Sequence, residues 1–208
     1  MPQPFIYLAS QSPRRSQLLA QIGVAHELLL AGPEEDAEAL EAARPNEAPA
    51  AYVKRVTALK LGAALQRLRA RGLPAAPVLC ADTTVALGRT IYGKPADAAE
   101  AQAMLRALSG RPHRVMTAVA LGVLASPAQP AVTQWHACST STVRFSHMTP
   151  EQIARYVKTG EPMGKAGAYG IQGAAATFIE KISGSYSGIM GLPLFETAGL
   201  LRLAGVLA

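Results

Sequence analysis

The stretch Leu8–Gly23, LASQSPRRSQLLAQIG, leads from an apolar strand into a helix through a turn that holds serines, a proline and two arginines. Ser12 is a favourable cap for a helix N-terminus, and Pro13 suits the first helical turn. Adjacent guanidinium groups repel each other, so a turn that places Arg14 beside Arg15 is expected to face an anion. The stretch therefore predicts a strand, a helix and an anion site between them.

Phosphate is the anion that this turn suits best. A helix N-terminus presents free backbone N–H groups and a partial positive charge, and both favour phosphate. Ser10 and Ser12 add hydroxyl donors, while Arg14 and Arg15 add planar forks that match phosphate oxygens. The turn alone does not distinguish this site from a capped surface helix with two solvated arginines.

Strand and helix patterns alternate along the rest of the chain and predict an α/β fold with a mixed sheet flanked by helices. The 208 residues suffice for one domain, and no repeat or linker divides them. The two long strands near the middle are joined by ASPAQP and are expected to pair antiparallel. Strands are predicted at 5–9, 26–30, 77–87, 113–124, 131–145 and 177–182, and helices at 13–23, 50–71, 98–108, 150–160 and from 193.

Composition excludes several classes of protein. Hydrophobic residues make up 50% and charged residues 16% of the chain, which argues against disorder. The net charge is +6, but aromatic residues are scarce and the densest basic run, 67–71, lies at a helix end. The longest apolar run, 115–125, is too short for a membrane span, and the start of the chain lacks the pattern of a signal peptide. Cys80 and Cys138 are expected to be buried reduced thiols, so the sequence predicts a cytoplasmic protein.

Asp82 lies inside the apolar strand CADTTVALG. A buried carboxylate is costly unless it is paired or bound to a metal, so an acid at this position favours a functional site. The hydroxyl groups of Thr83 and Thr84 follow it and suit a substrate site. The alternative is an aspartate on the wet face of an edge strand.

Three lysines stand apart from the basic runs. Lys60 shares one face of its helix with apolar residues, so its ammonium group must reach solvent or meet an anion. Lys94 lies on the tight turn IYGKP, and Lys165 lies in the glycine-rich GEPMGKAGAYGIQG. Each of them, taken alone, is more typical of a structural or solvated lysine.

Common catalytic motifs are missing from the sequence. It lacks GxGxxG, GxxxxGK[ST], HExxH and GxSxG, which argues against a dinucleotide site, a P-loop, a zinc protease site and a serine hydrolase elbow. Arginines, lysines and serines around one or two carboxylates remain. This set suits hydrolysis of phosphate esters with a hard divalent cation, Mg²⁺ or Mn²⁺.

Several motifs in order resemble those of the Maf family of nucleoside triphosphate pyrophosphatases. They are LASQSPRRSQLL, ADTTV, GKP, GEPMGKAGAYGIQG and GSYSGIMGLPL, and they cover the chain from Tyr7 to about Leu201. ADTTV together with KAGAYGIQG is similar to the branch that acts on dTTP and UTP. The resemblance implies one domain over residues 1–208, with two lobes around a central cleft as in the inosine triphosphatases, a homodimer, and a requirement for Mg²⁺ or Mn²⁺.

The resemblance also implies roles for individual residues. Asp82 falls on the proton acceptor and is expected to contact the metal, with Glu35 of the early acidic loop as a second metal ligand. Lys60 and Lys94 fall on cleft positions and are assigned to catalysis. The residues expected to bind the substrate are Ser10, Arg14, Arg15, Thr83 and Gln172, of which Arg14, Thr83 and Gln172 fall on positions associated with substrate choice.

The predicted reaction is attack of water on the α-phosphorus, which releases a nucleoside monophosphate and pyrophosphate. The amide of Gln172 carries both a donor and an acceptor and can pair with the edge of uracil or thymine. Gly170 and Gly173 are expected to let the backbone approach that base closely. The alternative for Gln172 is that it only ties down its loop.

The alternative function of the whole protein is a nucleic-acid-binding regulator of cell division without hydrolytic activity. The enzyme, by contrast, is expected to bind neither a membrane nor a nucleic acid in a stable complex.

Overall fold

The computed structural model describes residues 5–36, 39–124 and 132–208. The predicted connection 125–130 between the two long strands lies outside these ranges. The strands are β1 (Phe5–Leu8), β2 (Ala25–Leu28), β3 (Val78–Leu87), β4 (Thr90–Tyr92), β5 (Pro112–Leu124), β6 (Val132–Phe145) and β7 (Ile179–Ser183). The helices are α1 (Pro13–Gln21), α2 (Pro49–Ala70), α3 (Ala98–Leu108), α4 (Pro150–Lys158), α5 (Tyr186–Met190) and α6 (Leu194–Leu203).

The strands form one mixed sheet, which confirms the predicted class. In the described part of the chain it has seven strands in the order β2-β1-β3-β5-β6-β7, with β4 beside β3. β1 pairs parallel with β2 and β3, while β3, β5, β6 and β7 pair antiparallel. The predicted antiparallel pairing of the two long strands is confirmed between β5 and β6. Because β3 lies between β1 and β5, it is a central strand and is buried along nearly its whole length.

Alternate residues of β3 face opposite layers, and this alternation arranges the site. Val78 and Cys80 pack with α2 on one side, while Leu79 and Ala81 pack with α1 and α6 on the other. By the same alternation Asp82 projects toward α2 and Thr83 toward the opposite layer. A third apolar cluster, formed with α3, α4 and the glycine-rich segment, covers the far half of the sheet.

The predicted helix starts are confirmed, with one difference in detail. Asp97 caps α3 by accepting from the Glu100 N–H at 2.8 Å, and α4 opens with the complete capping box that Thr149 predicts. Ser12 is the N-cap residue of α1, but its side chain makes no capping hydrogen bond. Instead its backbone N–H donates to the Ser10 hydroxyl oxygen at 3.2 Å, because the turn folds back on itself before the helix begins.

Three expectations need correction. The loop expected before the last helix contains α5, a helix too short for a periodic pattern, whose Ser185 cap accepts from the Gly188 N–H. The strand expected at 177–182 begins at Ile179, because the preceding residues form a 3₁₀ turn. Cys80 is buried as expected, but Cys138 is only partly covered. No helix among the described residues is long and apolar enough to cross a membrane.

Candidate active site

A cavity of about 1090 Å³ opens beside the centre of the sheet. It is lined by the α1 turn, the loop after β2, one face of α2, the middle of β3 and the glycine-rich segment. Every residue that the sequence assigns to the site lines this one cavity. These residues are Ser10, Arg14, Arg15, Glu35, Lys60, Asp82, Thr83, Lys94 and Gln172.

Asp82 is a buried carboxylate with a charged partner. It is 8% exposed, and its Oδ1 accepts from the Lys60 ammonium group at 2.6 Å. The alternative of an aspartate on a wet strand face is wrong, since this side chain is buried. Lys60 reaches the carboxylate from the apolar face of α2, as the helical spacing requires. The pair explains how both charges are tolerated in a largely buried place.

Glu41 completes this cluster and was missed by the sequence analysis. Its Oε1 accepts from Lys60 at 2.7 Å, and its two carboxylate oxygens lie 3.3 and 3.2 Å from the Lys94 ammonium nitrogen. Burial acts to raise the pKa of Glu41, but the attraction of Lys60 and Lys94 outweighs it and holds the pKa below its ordinary value. The acidic segment that contains Glu41 holds several acids, and no local pattern distinguishes one of them. Glu41 is distinguished from the other acids by its position beside Lys60 in the folded chain.

Glu35 lines the same cavity, but its carboxylate is bound to Arg67. The Arg67 Nε lies 2.8 Å from Oε1 and the Nη2 lies 2.6 Å from Oε2, which makes a two-pronged pair. The hydrogen bonds from Arg67, with a further one from the Gly32 N–H, lower the pKa of Glu35 to about 2. Arg67 also donates to the Leu29 carbonyl at 2.9 Å. Glu35 therefore anchors the loop after β2 to α2.

Asp82 and Glu41 are the carboxylates best placed to hold a divalent cation. Both accept a hydrogen bond from the Lys60 ammonium group, so both lie within hydrogen-bond distance of one nitrogen atom. Within residues 5–36, 39–124 and 132–208 no group of three or more His, Cys, Asp or Glu residues could hold a metal ion. Mg²⁺ commonly binds through one or two carboxylates together with substrate phosphates and water. The donor set fits a cation that is shared with a phosphate.

Arg15 is held by three hydrogen bonds at the start of α1. Its Nε donates to the Gly191 carbonyl at 2.7 Å, its Nη1 to the Ser10 hydroxyl at 3.0 Å and its Nη2 to the Thr83 hydroxyl at 3.4 Å. Burial lowers the pKa of Arg15, and the nearby Asp82 carboxylate opposes that shift. A guanidinium group has five N–H donors, so two remain for an anion in the cavity.

The hydroxyl proton of Ser10 is available to a ligand. The Ser10 oxygen already accepts from Arg15 and from the Ser12 N–H. Because a hydroxyl oxygen has two acceptor positions and one proton, the proton of Ser10 remains free to donate to a phosphate oxygen.

Thr83 has the opposite arrangement. The Thr117 hydroxyl lies 2.7 Å from the Gly188 carbonyl, which can only accept, so Thr117 donates its proton there. Thr83, at 2.9 Å from Thr117, must therefore donate to Thr117 and accept from Arg15. Thr83 therefore orients Arg15 and presents no hydroxyl proton to the cavity. Thr117, which receives the Thr83 proton, was not among the residues predicted from the sequence.

The remaining predicted residues lie where α1 faces the glycine-rich segment. Arg14 makes a long hydrogen bond, 3.4 Å from its Nε to the Met190 carbonyl, and no other to the residues that the structure describes. Lys165 lines the cavity, and burial, followed by the positive charge of Arg14, lowers its pKa. The Gln172 amide makes no hydrogen bond to any residue in the described ranges, so its side chain does not tie down the loop.

The two glycines beside Gln172 do not both serve the cavity. A Cβ at Gly173 would lie 2.1 Å from Oε1 of Glu161, so this glycine makes room for a neighbouring carboxylate rather than for a base. A Cβ at Gly170 would lie 3.1 Å from the Lys165 Cε atom, which is a flexible part of a side chain that lines the cavity. The expectation of close approach to a base is wrong for Gly173.

Comparison with known proteins decides the family. Residues 5–204 match the family model described as Maf-like protein. The chain belongs to the Maf-like family. A dTTP/UTP pyrophosphatase of Albidiferax ferrireducens is 67% identical over 97% of this chain and 97% of that protein. A dTTP/UTP pyrophosphatase of Ralstonia nicotianae is 62% identical over 99% of this chain and 96% of that protein.

The lysines of this Maf-like protein provide a first prediction. Lys60→Met is expected to lower kcat/KM for nucleoside triphosphates about 10²-fold, because an ammonium group facing Asp82, Glu41 and the phosphates is lost. Lys94→Met should have a smaller effect, since the Lys94 side chain is 51% exposed and its ammonium group pairs, among the described residues, with Glu41 alone. Steady-state kinetics and thermal melting of each variant provide the measurement.

Lys54→Met is the matched control, because Lys54 is an exposed residue of the same helix. It should leave both activity and melting temperature unchanged. A Lys60→Met protein that keeps its activity but melts much earlier would show that this lysine is structural and would contradict the prediction.

His113 provides a prediction about acid stability. This side chain of β5 is 2% exposed, its Nε2 lies 2.8 Å from the Tyr169 hydroxyl, and its Nδ1 lies 3.4 Å from the Arg111 carbonyl. The carbonyl can only accept, so the neutral ring carries its proton on Nδ1 and accepts from Tyr169 at Nε2. Burial lowers the pKa of His113 to about 4.

An unfolded chain takes up a proton at this histidine near pH 6.5, whereas the folded chain does so only near pH 4. The free energy of unfolding should therefore fall by up to about 3 kcal/mol as the pH is lowered through this window. Urea unfolding of wild type and His113→Asn from pH 7 to pH 4.5 measures this, and the variant should lose much of the slope. Exposed His136 provides the control, since His136→Asn should keep the wild-type slope; equal slopes in all three proteins would contradict the assignment.

Proposed function

We propose that this Maf-like protein is a nucleoside triphosphate pyrophosphatase that converts dTTP and UTP to the nucleoside monophosphate and pyrophosphate. The similarity to relatives with that activity supports the proposal. The observation that carries it is one cavity that brings two kinds of group together. The carboxylates of Asp82 and Glu41 are held there by Lys60, and Arg15 and Ser10 line the same cavity with unused hydrogen-bond donors.

Asp82 is proposed to accept the proton of the attacking water. The water oxygen bonds to the α-phosphorus, the bridge between the α- and β-phosphates breaks, and pyrophosphate leaves with the electron pair. Lys60 occupies one oxygen of Asp82 and leaves the other for the water. Arg15 and Ser10 bind the phosphate oxygens with donors already in place, and such preorganised donors stabilise growing charge most effectively.

Mg²⁺ or Mn²⁺ is the proposed cofactor. Asp82 and Glu41 would hold the cation together with oxygens of the substrate, and the cation would neutralise part of the phosphate charge. The sequence assigned the second ligand to Glu35. We propose Glu41 in its place, because Glu41 shares Lys60 with Asp82, whereas Glu35 pairs with Arg67 away from Asp82.

Gln172 is proposed to recognise the base, since its amide has no partner among the described residues and faces the cavity. Uracil and thymine offer the O4 acceptor next to the N3–H donor, which one amide can match. Arg14 would fix how the nucleotide lies across the cavity, and Thr83 would act through Arg15. A site that pairs with one edge rejects a mismatched edge strongly, because buried polar groups would lose their partners.

The test is a panel of dTTP, UTP, CTP, ATP and GTP with Mg²⁺ or Mn²⁺, assayed for pyrophosphate. We expect kcat/KM for dTTP and UTP well above the values for ATP and GTP, with CTP intermediate or poor because its N4 amino group and bare N3 reverse the pattern. Purine hydrolysis equal to that of dTTP would contradict the base assignment. No release of pyrophosphate from any nucleotide would contradict the enzyme itself.

We further propose a cytoplasmic homodimer in which residues 1–208 form one domain with two lobes around the cavity. The free thiols of Cys80 and Cys138 suit a reducing compartment. The exposed Phe195 and Leu203 of α6 offer apolar surface for a second copy. The charged residues line a cavity rather than an open surface. A cavity favours a single nucleotide as the ligand over a nucleic-acid strand or a membrane. We therefore do not propose the alternative function of a nucleic-acid-binding regulator.

A further inference from the structure

Gln172 lies on a turn whose shape determines where its amide points. The Gly173 N–H donates to the Gly170 carbonyl at 3.0 Å, so Ile171 and Gln172 occupy the two corners. Both residues line the cavity, but Ile171 is 6% exposed and packs in the cluster of α3 and α4, whereas Gln172 is exposed. The buried neighbour and the two ends of the turn therefore set the direction of the Gln172 side chain.

Glu161 holds the far end of this turn. This residue follows α4, and its Oε2 accepts from the Ala174 N–H at 2.9 Å. The absence of a Cβ at Gly173 lets the carboxylate lie directly against the turn. The main-chain carbonyl of Glu161 also accepts from the Lys165 ammonium group. One residue outside the cavity contacts the segment both before and after Gln172.

Tyr156 holds Glu161 in place. The Tyr156 side chain is 3% exposed, and its hydroxyl donates to Oε1 of Glu161 at 2.9 Å. Burial raises the pKa of this hydroxyl, and its hydrogen bond to Glu161 acts in the same direction. The ring packs edge-on against Phe178 at a centroid distance of 6.1 Å, so the hydroxyl has a fixed position.

We infer that Tyr156 and Glu161 are positioning residues for base discrimination. Tyr156 fixes Glu161, Glu161 holds the far end of the turn, and neither of them lines the cavity. They act by holding the Gln172 amide at the height and angle that the pyrimidine edge requires, since productive contacts demand placement to about half an ångström. The inference rests on the proposed function and deepens it by naming what supports the choice of base.

The experiment compares a substrate that has a base with one that lacks it. Tyr156→Phe removes one oxygen and keeps the packed ring, and Glu161→Gln removes the charge that receives two donors. We measure kcat and KM for dTTP, GTP and 2-deoxyribose 5-triphosphate in each variant. Both variants should raise KM for dTTP about tenfold and lower the ratio of dTTP to GTP hydrolysis accordingly, with kcat nearly unchanged and the base-free substrate unaffected.

Two further variants complete the design. Tyr7→Phe removes a hydroxyl from a buried tyrosine of β1, far from the turn, and should leave the nucleotide ratio unchanged. Gln172→Ala should lower the ratio as strongly as Tyr156→Phe. Because Tyr156 acts through Gln172, the double variant should lose no more than Gln172→Ala alone.

Three results would overturn the inference. They are an equal loss on dTTP and on the base-free substrate, an unchanged ratio in folded Tyr156→Phe and Glu161→Gln proteins, and additive losses in the double variant. Thermal melting identifies a variant that fails to fold, and the other variant then decides. If wild type hydrolyses purine and pyrimidine nucleotides equally, or none at all, the proposed function fails instead.

Discussion

Asp82→Asn is expected to lower kcat by about 10²–10⁴-fold, which is the usual cost of losing a general base. The substitution keeps the size of the side chain, and its amide oxygen can still accept from Lys60, whose contact with the carboxylate is 2.6 Å. It loses the proton acceptor and a negative charge at the proposed metal position. The fold should remain, because β3 is anchored by its neighbours on both sides and by its apolar residues.

Single-turnover and steady-state assays with dTTP, combined with thermal melting, measure this effect. Asp97→Asn is a matched control, because Asp97 is an exposed cap of α3 outside the cavity and the amide can still cap the helix. That variant should keep wild-type kcat. Wild-type turnover in Asp82→Asn would refute the role of Asp82 as the base.

Arg15→Lys is expected to lower kcat/KM about 10²–10³-fold although it preserves the charge. The planar guanidinium group of Arg15 contacts Gly191, Ser10 and Thr83 and keeps two further N–H donors for a phosphate. Lysine cannot reproduce this geometry. The Ser10 and Thr83 hydroxyls would also lose the partner that orients them. Arg14→Lys should cost less, because Arg14 makes only one long hydrogen bond within the described part of the chain.

The measurement is kcat/KM for dTTP in both variants and in Arg89→Lys, a control outside the cavity whose guanidinium group donates to the Asn46 carbonyl. Full activity is expected for Arg89→Lys. Equal losses in Arg15→Lys and Arg14→Lys would argue that charge alone matters and that the fork geometry of Arg15 does not.

Local signals in the sequence were enough to predict the mixed α/β class and most elements. Three of these signals involve groups no more than a few residues apart, so the neighbouring residues along the chain are enough to predict them. They are the turn before α1, the Asp97 cap and the Thr149 capping box. The isolated Asp82 was equally informative, since an acid inside a buried strand requires a partner wherever that strand lies. The short α5 escaped prediction because five residues are too few to show a period.

The sequence by itself thus determined the residue types of the site and the elements that carry them, whereas the tertiary structure decided which groups meet. Glu41 rather than Glu35 reaches Lys60 because the loop after β2 is pinned through Arg67, a residue of α2. Thr117 directs the Thr83 proton because β3 and β5 pair in a register that sets the two residues opposite each other. Pairing register and strand alternation join groups that are distant along the chain, and no local pattern records which of several similar side chains will be the one in contact.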